Sequence, residues 1–549
     1  MDTQSISGTE HTNPEIETDS PDIISRTAKE QFGIPGLFPF QRLVISNILE
    51  GCGFFGAHIQ LESFRNQIVI LPTGSGKSLC FSLPGVLIDS ITLIIFPLLS
   101  LISDQARRLQ EAGISYGKLV GGQSKEERDR LWVELASGKI SFLLTNPESL
   151  QKESVLVRLK ELTIGHAVID EAHIVSEWGR TFRPSYLEIG KILHKLDIGQ
   201  ITAFTATAAR TTIDHIITHV FNGNPVHLIQ GNPDRPNITY RVIPSLSKLQ
   251  DLSILTNRDS GMARPIIIFC GTRKRAVQTA VKLRLRHQED QIFYYHAGLS
   301  KDERKVIEDW FYASEHGILC ATSAYGMGID KGNIRSVIHT AISSSAGAYL
   351  QETGRAGRDR KPANTAILLG IDEWEKLHNP AIKTDQDFRE STLLSIFSDT
   401  SRCRRESLLA ALSAEPEVCF GCDICSGTLQ IHAAGEREII KLIHRYPLKL
   451  TIHEAALILR GQYSLDVKQR KLYHFRGFGA LSGWVLDDIE DAMHVLKRVS
   501  LITCTRKGVW KDLLRVKGCI TRFNHPSSEG FLDVFRMQQK TNYLEVSHL

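Results

Sequence analysis

Short apolar runs alternate with longer stretches of mixed polarity through most of the chain. In the first half these runs are Ile68–Leu71, Thr92–Phe96, Phe142–Thr145, Ala167–Ile169 and Ile201–Phe204. The pattern returns in Pro265–Cys270, Gln291–His296, Gly317–Thr322, Ser336–Ala341 and Thr365–Gly370. Apolar runs of this length, separated by helix-length segments, are typical of buried parallel strands joined by helices. The sequence therefore predicts an α/β fold with two parallel-sheet lobes.

The segments around the two lobes indicate the domain boundaries. Residues 1–22 contain six acidic residues and no Lys or Arg, which predicts a disordered leader. The stretch Asn232–Asn237 is rich in Pro and Asn and should link the lobes. The predicted divisions are a first lobe over 23–231, a second lobe over 232–388, a cysteine-rich subdomain over 389–428, a C-terminal domain over 429–525 and a tail over 526–549.

Composition and charge narrow the class of protein. The 549 residues are 42% hydrophobic, and without a membrane-length apolar stretch or a signal peptide we expect no membrane association and reduced cysteines. Residues 435–522 hold 17 Lys and Arg against 9 Asp and Glu, a net +8, so the rest of the +4 chain sums to 4 − 8 = −4. This asymmetry predicts a nucleic-acid contact; a solvated basic face is the alternative.

A phosphate-binding loop follows the first apolar run, with the sequence Gly74-Ser75-Gly76-Lys77-Ser78. Glycines let backbone N–H groups approach a triphosphate closely, and the positive end of the next helix adds to the attraction. Lys77 is expected to reach the β and γ phosphates and Ser78 to ligate Mg²⁺. The strict form of the motif begins with one more glycine, which this chain lacks.

Two adjacent acids, Asp170 and Glu171, end the fourth apolar run and begin the sequence Asp-Glu-Ala-His. At a strand end they point in different directions, so Asp170 can hold Mg²⁺ through a water while Glu171 polarises the attacking water. Acids that favour a helix N-terminus are the alternative. Together with the phosphate loop, the pair predicts a nucleoside-triphosphate hydrolase.

Four of the ten cysteines are clustered. Cys403, Cys419, Cys422 and Cys425 have the spacing C-x15-C-x2-C-x2-C. Four thiolates suit tetrahedral zinc, and cysteines three apart can ligate the same ion. Disulfides, a redox pair or an iron–sulfur cluster are the other candidates.

Further motifs follow in a fixed order: Phe96–Gln105, Ser176–Pro184, Thr205–Ala208, Tyr295–Leu299, Ala324–Asp330 and Gln351–Arg358. With the phosphate loop and the acid pair, this series resembles the RecQ-type DNA helicases of superfamily 2. The resemblance implies two RecA-like lobes, a zinc-binding subdomain and a winged-helix domain. It also implies ATP-dependent 3′-to-5′ unwinding of forked or partly single-stranded DNA in recombination and repair, with ATP, Mg²⁺ and Zn²⁺ as cofactors. The expected location is the bacterial cytoplasm at the nucleoid, or else a eukaryotic nucleus.

Alternative functions stay open at this point. One is an RNA helicase, or a translocase that separates no strands. Another is a DNA-binding scaffold that has lost catalysis, although the phosphate loop and the acid pair are intact. The sequence identifies no protein partner.

The resemblance assigns roles at the nucleotide. Arg355 and Arg358 would reach the γ-phosphate from the second lobe; on a helix their spacing would put them on one face, and surface salt bridges are the alternative. Gln41 would read the adenine edge. Ile34 and Phe38 stand where the family has an adenine-stacking aromatic residue and an arginine, so adenine stacking is expected to be weaker.

Two sets of residues are predicted to contact DNA. In the loop after the Asp-Glu-Ala-His sequence, Trp178 and Phe182 would stack on unpaired bases and Arg183 would contact a phosphate. The alternative is that the two aromatic residues are core residues.

The second predicted DNA contact is a hairpin wing in the basic C-terminal region. Arg506 and Lys507 lie in a Gly-containing turn between strand-like runs. Trp510 would act as a wedge at the fork, or else pack in the core.

Overall fold

A computed structural model describes residues 22–55, 66–72, 75–177, 184–206, 208–323, 331–378, 384–412, 414, 418–505 and 512–516. Seven predicted site residues lie outside these ranges: Gly74, Trp178, Phe182, Arg183, Arg506, Lys507 and Trp510. Their predicted roles stay predictions, as do the domain boundaries.

The first lobe is a seven-stranded parallel sheet with the strand order β3-β4-β2-β5-β6-β1-β7. Its strands are β1 (Asn66–Ile70), β2 (Ile91–Ile95), β3 (Tyr116–Leu119), β4 (Phe142–Thr145), β5 (Ile164–Ile169), β6 (Gln200–Thr205) and β7 (His227–Gln230). Its helices are α1 (Ile23–Phe32), α2 (Pro39–Gly51), α3 (Lys77–Leu87), α4 (Leu99–Glu111), α5 (Lys125–Ala136), α6 (Pro147–Leu150), α7 (Glu153–Lys160), α8 (Ile174–Glu177), α9 (Ile189–Lys195) and α10 (Arg210–Val220), with a 3-10 turn at Pro184–Glu188. Separate apolar clusters cover the two faces of the sheet.

The second lobe is a six-stranded parallel sheet with the order β10-β11-β9-β12-β13-β8. Its strands are β8 (Ile238–Pro244), β9 (Ile266–Phe269), β10 (Ile292–Tyr295), β11 (Ile318–Ala321), β12 (Ser336–His339) and β13 (Ala363–Leu369). Its helices are α11 (Lys248–Leu255), α12 (Arg273–His287), α13 (Lys301–Ala313), α14 (Ala346–Thr353) and α15 (Ile371–His378). The prediction of two parallel-sheet lobes is confirmed.

The remaining described elements are mainly helical. They are α16 (Asp385–Ser398), α17 (Arg404–Ala410), α18 (Glu436–Arg445), α19 (Ile452–Arg460), α20 (Leu465–Gln469), a 3-10 turn at Leu472–His474, α21 (Leu486–Arg498), β14 (Ile502–Cys504) and β15 (Leu514–Val516). β14 and β15 pair antiparallel. Helices followed by a strand pair are compatible with a winged helix, which stays a prediction.

One apolar cluster continues from the second lobe into the C-terminal region. It contains Val337 of the second sheet, Leu408 and Cys422 of the cysteine-rich region, and Ile439 and Leu514 further on. The apolar core of the C-terminal elements is therefore continuous with that of the second lobe. Within the described ranges, no helix combines the length and apolarity that crossing a bilayer would need.

Candidate nucleotide site and four-cysteine centre

The phosphate loop joins β1 to the N-terminus of α3. Gly76 is the residue before the helix and has φ +79°, a backbone conformation that glycine adopts without strain. A Cβ at Gly76 would also come within 2.5 Å of the Gln41 side-chain nitrogen. Lys77 and Ser78 form the first turn of α3, so the backbone N–H groups of this turn are available to an anion.

Gln41 of α2 is buried and joined to this loop. Its Nε2 donates to the carbonyl oxygen of Ser75 at 2.9 Å, and its Oε1 accepts from the backbone N–H of Phe38 at 2.9 Å. Gln41 therefore fixes the position of Phe38 relative to the phosphate loop. The sequence predicted a nucleotide role for Gln41 but not this connection.

The acid pair lies opposite the phosphate loop. β5 ends at Ile169, and the following residues include Glu171 in a left-handed conformation with φ +51°. Its Oε1 lies 3.7 Å from Lys77 Nζ, and its Oε2 lies 3.4 Å from His173 Nδ1. His173 Nδ1 is in turn 2.9 Å from Thr205 Oγ1 at the end of β6. Lys77 of the phosphate loop is therefore next to the Glu171 carboxylate, and Thr205 is connected to that carboxylate through His173.

The two carboxyl groups have opposite pKa shifts. Desolvation, together with the adjacent charge of Glu171, raises the pKa of Asp170 to about 6. Desolvation also acts to raise the pKa of Glu171, but the positive charge of Lys77, followed by those of His173 and Arg355, outweighs it and the pKa is lowered. Glu171 is thus ionised at neutral pH, as a group that accepts a proton must be.

The residues fit a magnesium–triphosphate. Oxygen donors of the kind that Mg²⁺ prefers are present in Ser78 and Asp170. The Oε2 atom of Glu171 is buried and has no hydrogen-bond partner in the part of the chain that the structure describes. A desolvated carboxylate pair with an unsatisfied oxygen is stabilised by a cation. Asp170 and Ser78 would hold the ion, which would neutralise charge on the phosphates.

The second lobe contributes Arg355 and Arg358. α14 ends at Thr353, so both arginines lie in the turn after the helix and the condition for a shared helix face is not met. Gly357 has φ +56°, a conformation outside the α-helix region. Arg355 is only 5% exposed, and its charge lowers the pKa of Glu171 in the other lobe.

An aromatic stack lies beside Gln41. The rings of Phe38 and Phe40 have centroids 5.5 Å apart and are nearly parallel, at 8°. Phe38 is 44% exposed, and the guanidinium carbon of Arg360, from the second lobe, lies 5.5 Å from its centroid. Sequence reasoning missed Arg360, because nothing local marks a residue so far along the chain as a partner of Phe38.

The four predicted cysteines form a single cluster. Their sulfur atoms all lie within 4.8 Å of one another, and Cys403 Sγ and Cys422 Sγ are 3.9 Å apart. Two thiolates on one tetrahedral zinc would be about 3.8 Å apart, because each Zn–S bond is about 2.3 Å, whereas a disulfide requires about 2.05 Å. The backbone N–H of Cys425 donates to Cys422 Sγ at 3.4 Å, which stabilises a thiolate. The cluster therefore fits a metal ion.

Comparisons with known proteins agree with this geometry. The DEAD/DEAH box helicase family pattern matches residues 38–216, and the helicase conserved C-terminal domain matches residues 246–360. The ATP-dependent DNA helicase RecQ of Pasteurella multocida is 31% identical over 74% of this chain and 65% of that protein. The probable ATP-dependent DNA helicase RecS of Bacillus subtilis is 34% identical over 64% of this chain and 68% of that protein. The chain belongs to the RecQ family of ATP-dependent DNA helicases.

The RecQ chain spans about two thirds of the length of these two relatives. Among solved structures, the DUF1998 helicase MrfA bound to DNA has a TM-score of 0.52 at 16% identity, over 90% of this chain and 62% of that one. At this identity the likeness shows the fold alone. The RecQ resemblance drawn from the motifs is confirmed.

Proposed function

We propose that this RecQ chain couples ATP hydrolysis to 3′-to-5′ unwinding of forked or partly single-stranded DNA, in recombination and repair. The observation that carries the proposal is the placement of Glu171, within 3.7 Å of Lys77 and under the charge of Arg355 from the other lobe. A hydrolase that is active only when its two lobes are closed needs groups from both lobes at the nucleotide.

In the proposed reaction, Lys77 turns from Glu171 to the β and γ phosphates when ATP binds. Glu171 then accepts a proton from the water that attacks the γ-phosphorus, and the bond to the β–γ bridging oxygen breaks to leave ADP and phosphate. Arg355 and Arg358 neutralise charge on the transferred group. Arginines in this role raise kcat roughly 10³–10⁵-fold in other nucleotide hydrolases.

Coupling to DNA is proposed to run through Glu171 as well. His173 connects Glu171 to Thr205, and α8 ends at Glu177, directly before the predicted DNA-contacting loop with Trp178, Phe182 and Arg183. In this proposal, bases that stack on that loop change the position of the Glu171 carboxylate. Arg506, Lys507 and Trp510 would contact the duplex ahead of the fork.

The cysteine cluster is proposed to hold one structural zinc through Cys403, Cys419, Cys422 and Cys425. Four protein ligands close a tetrahedral site and leave no position for a substrate. The ion would then stabilise the fold around α17 and take no part in ATP hydrolysis.

The test compares ATPase activity alone, with single-stranded DNA and with single-stranded RNA, and then unwinding of duplexes with a 3′ or a 5′ overhang. The proposal expects stimulation by DNA and unwinding only from the 3′ overhang. Equal stimulation by RNA would favour an RNA helicase, and stimulation without unwinding would favour a translocase. Absence of ATPase activity would favour the scaffold.

A further inference from the structure

Two arginines directly after the first cysteine ligand are almost completely buried. Arg404 and Arg405 are each 1% exposed, and a buried guanidinium is stable only when it is paired. Arg404 meets Asp423 at 3.0 Å and the carbonyl oxygens of Ile396 and Phe397 at 2.9 Å. These contacts stay within the cysteine-rich region and join its two cysteine-bearing segments.

Arg405 instead leaves the cysteine-rich region and binds the linker between the lobes. Its guanidinium pairs with the carboxylate of Asp234 and donates to the carbonyl oxygens of Arg235, at 3.1 Å, and Ile238. Its guanidinium carbon also lies 5.2 Å from the ring centroid of Tyr240 on β8. The linker is therefore held by the segment that begins at Cys403.

The linker in turn holds the turn after α14. Arg235 donates to the carbonyl oxygens of Gly354 at 3.1 Å and Gly357 at 2.8 Å. Asn237 donates through Nδ2 to Gly357 at 2.9 Å and to Lys361 at 2.9 Å. These carbonyl groups belong to the same turn that carries Arg355 and Arg358, so the linker determines where that turn lies.

The linker also faces the first lobe. Arg235 and Gly354 line a small cleft together with Pro72, which follows β1, and Ala206, which follows β6. The hydrogen-bonded turn thus lies where the two lobes meet, beside the phosphate loop and the segment after Thr205. A small displacement of the linker would move Arg355 relative to the triphosphate.

We propose that Asp234, Arg235 and Asn237 are positioning residues for ATP hydrolysis. Arg405 holds Asp234, and Arg235 and Asn237 hold the turn, so the four-cysteine region and the arginine pair form one mechanically connected unit. This inference rests on the proposed function, because it requires Arg355 to act in the other lobe's site. Its consequence is that damage to the cysteine-rich region lowers turnover even when ATP still binds.

The test uses Asp234→Asn and Asn237→Ala in the full chain, with DNA-stimulated kcat and KM for ATP and thermal melting measured together. Misplacement of a catalytic group by about 1 Å can cost up to about 100-fold, so we expect kcat to fall about 10- to 100-fold with little change in KM. Asn237→Ala removes no charge, which keeps the test open if Asp234→Asn folds poorly.

Glu289→Gln is the matched control. It weakens a largely buried ion pair with Arg264 in the second lobe, in which the side chains of Glu289 and Arg264 are 16% and 5% exposed. Glu289 precedes β10, the edge strand opposite β8, so its loss should lower the melting temperature and leave kcat unchanged. If both linker variants melt lower but keep the kcat of this control, the positioning role is wrong.

The double variant Arg355→Ala/Arg358→Ala separates the inference from the proposed function. In its background, Asp234→Asn should add no further loss of kcat, because residues that act through one group are not additive. Additive losses would overturn the inference. Normal turnover in the double variant itself would instead overturn the role of the arginine pair in the proposed function.

Discussion

Lys77 Nζ and Glu171 Oε1 lie 3.7 Å apart across the nucleotide site. One side chain comes from the helix after β1 and the other from the turn after β5, and these two strands are separated in the sheet only by β6. The pair balances the charge of the site when no phosphate is bound. ATP competes with Glu171 for the lysine, and this exchange would leave the carboxylate free to act on water.

Lys77→Ala and Glu171→Gln should therefore fail in different ways. Lys77→Ala loses a phosphate contact and should weaken ATP binding as well as turnover. Glu171→Gln should bind ATP normally and lose roughly 10²–10⁴-fold in DNA-stimulated kcat, the usual contribution of a general base. Nucleotide binding by titration and ATPase assays measure both. Lys376→Ala, in an exposed salt bridge, is the control, and near-normal turnover in either site variant would contradict the mechanism.

The cysteine cluster should contain one zinc ion per chain by elemental analysis. Cys422→Ser should lower zinc content and melting temperature together, because metal binding is coupled to local folding. Cys504→Ser changes a half-buried free cysteine in β14, away from the cluster, and should keep the full zinc content. A purified chain that lacks metal and melts at the same temperature as the zinc-loaded chain would rule out the site.

Asp251 on α11 should make stability depend on pH. Burial raises its pKa to about 7, although Ser245 donates a hydrogen bond to it. The folded state therefore holds this proton at pH values where the unfolded chain has released it, and the stabilisation is lost as pH rises from about 4 to about 7.

Asp251→Asn should remove this dependence, since an amide keeps an acceptor for Ser245 and carries no charge. Urea unfolding at pH 6 and pH 8 should show a smaller difference for the variant than for the parent chain, and higher stability than the parent at pH 8. Asp214→Asn, at an exposed position on α10, should change neither value. If the stability of Asp251→Asn differs between pH 6 and pH 8 as much as that of the parent chain, other groups set the pH dependence.

The sequence predicted ten of the thirteen strands that the structure describes in the two sheets, because each of the ten is a continuous apolar run. β3, β7 and β8 were missed because polar residues such as Lys118, His227 and Arg241 interrupt their apolar patterns, as edge strands tolerate. The spacing of Arg355 and Arg358 could not show whether the pair lies on a helix; α14 ends at Thr353, and both follow it in a turn that contains Gly354 and Gly357. The contact of Phe38 with Arg360 could not be predicted, since it depends on how two lobes meet and not on any local pattern.

That contact indicates how this chain binds the base of its nucleotide. Phe38 is fixed to the phosphate loop through Gln41, which donates to Ser75, so its ring lies at a set distance from the triphosphate. The ring is half exposed and backed by Phe40, while Arg360 covers its open side. We expect the base to insert between Phe38 and Arg360, which would replace the missing stacking residue of the family.

Phe38→Ala should raise KM for ATP about 10-fold, since base–aromatic stacking is worth roughly 1–3 kcal/mol. Arg360→Lys should also raise KM for ATP, because an ammonium cannot stack as a guanidinium does. Phe38→Trp keeps an aromatic ring and should keep the KM of the parent chain. Hydrolysis of tripolyphosphate, which has no base, separates base stacking from a disturbed phosphate loop, and it should be unchanged in all three variants. If hydrolysis of ATP and hydrolysis of tripolyphosphate weaken equally in these variants, Phe38 only supports the phosphate loop. The base would then have to bind elsewhere.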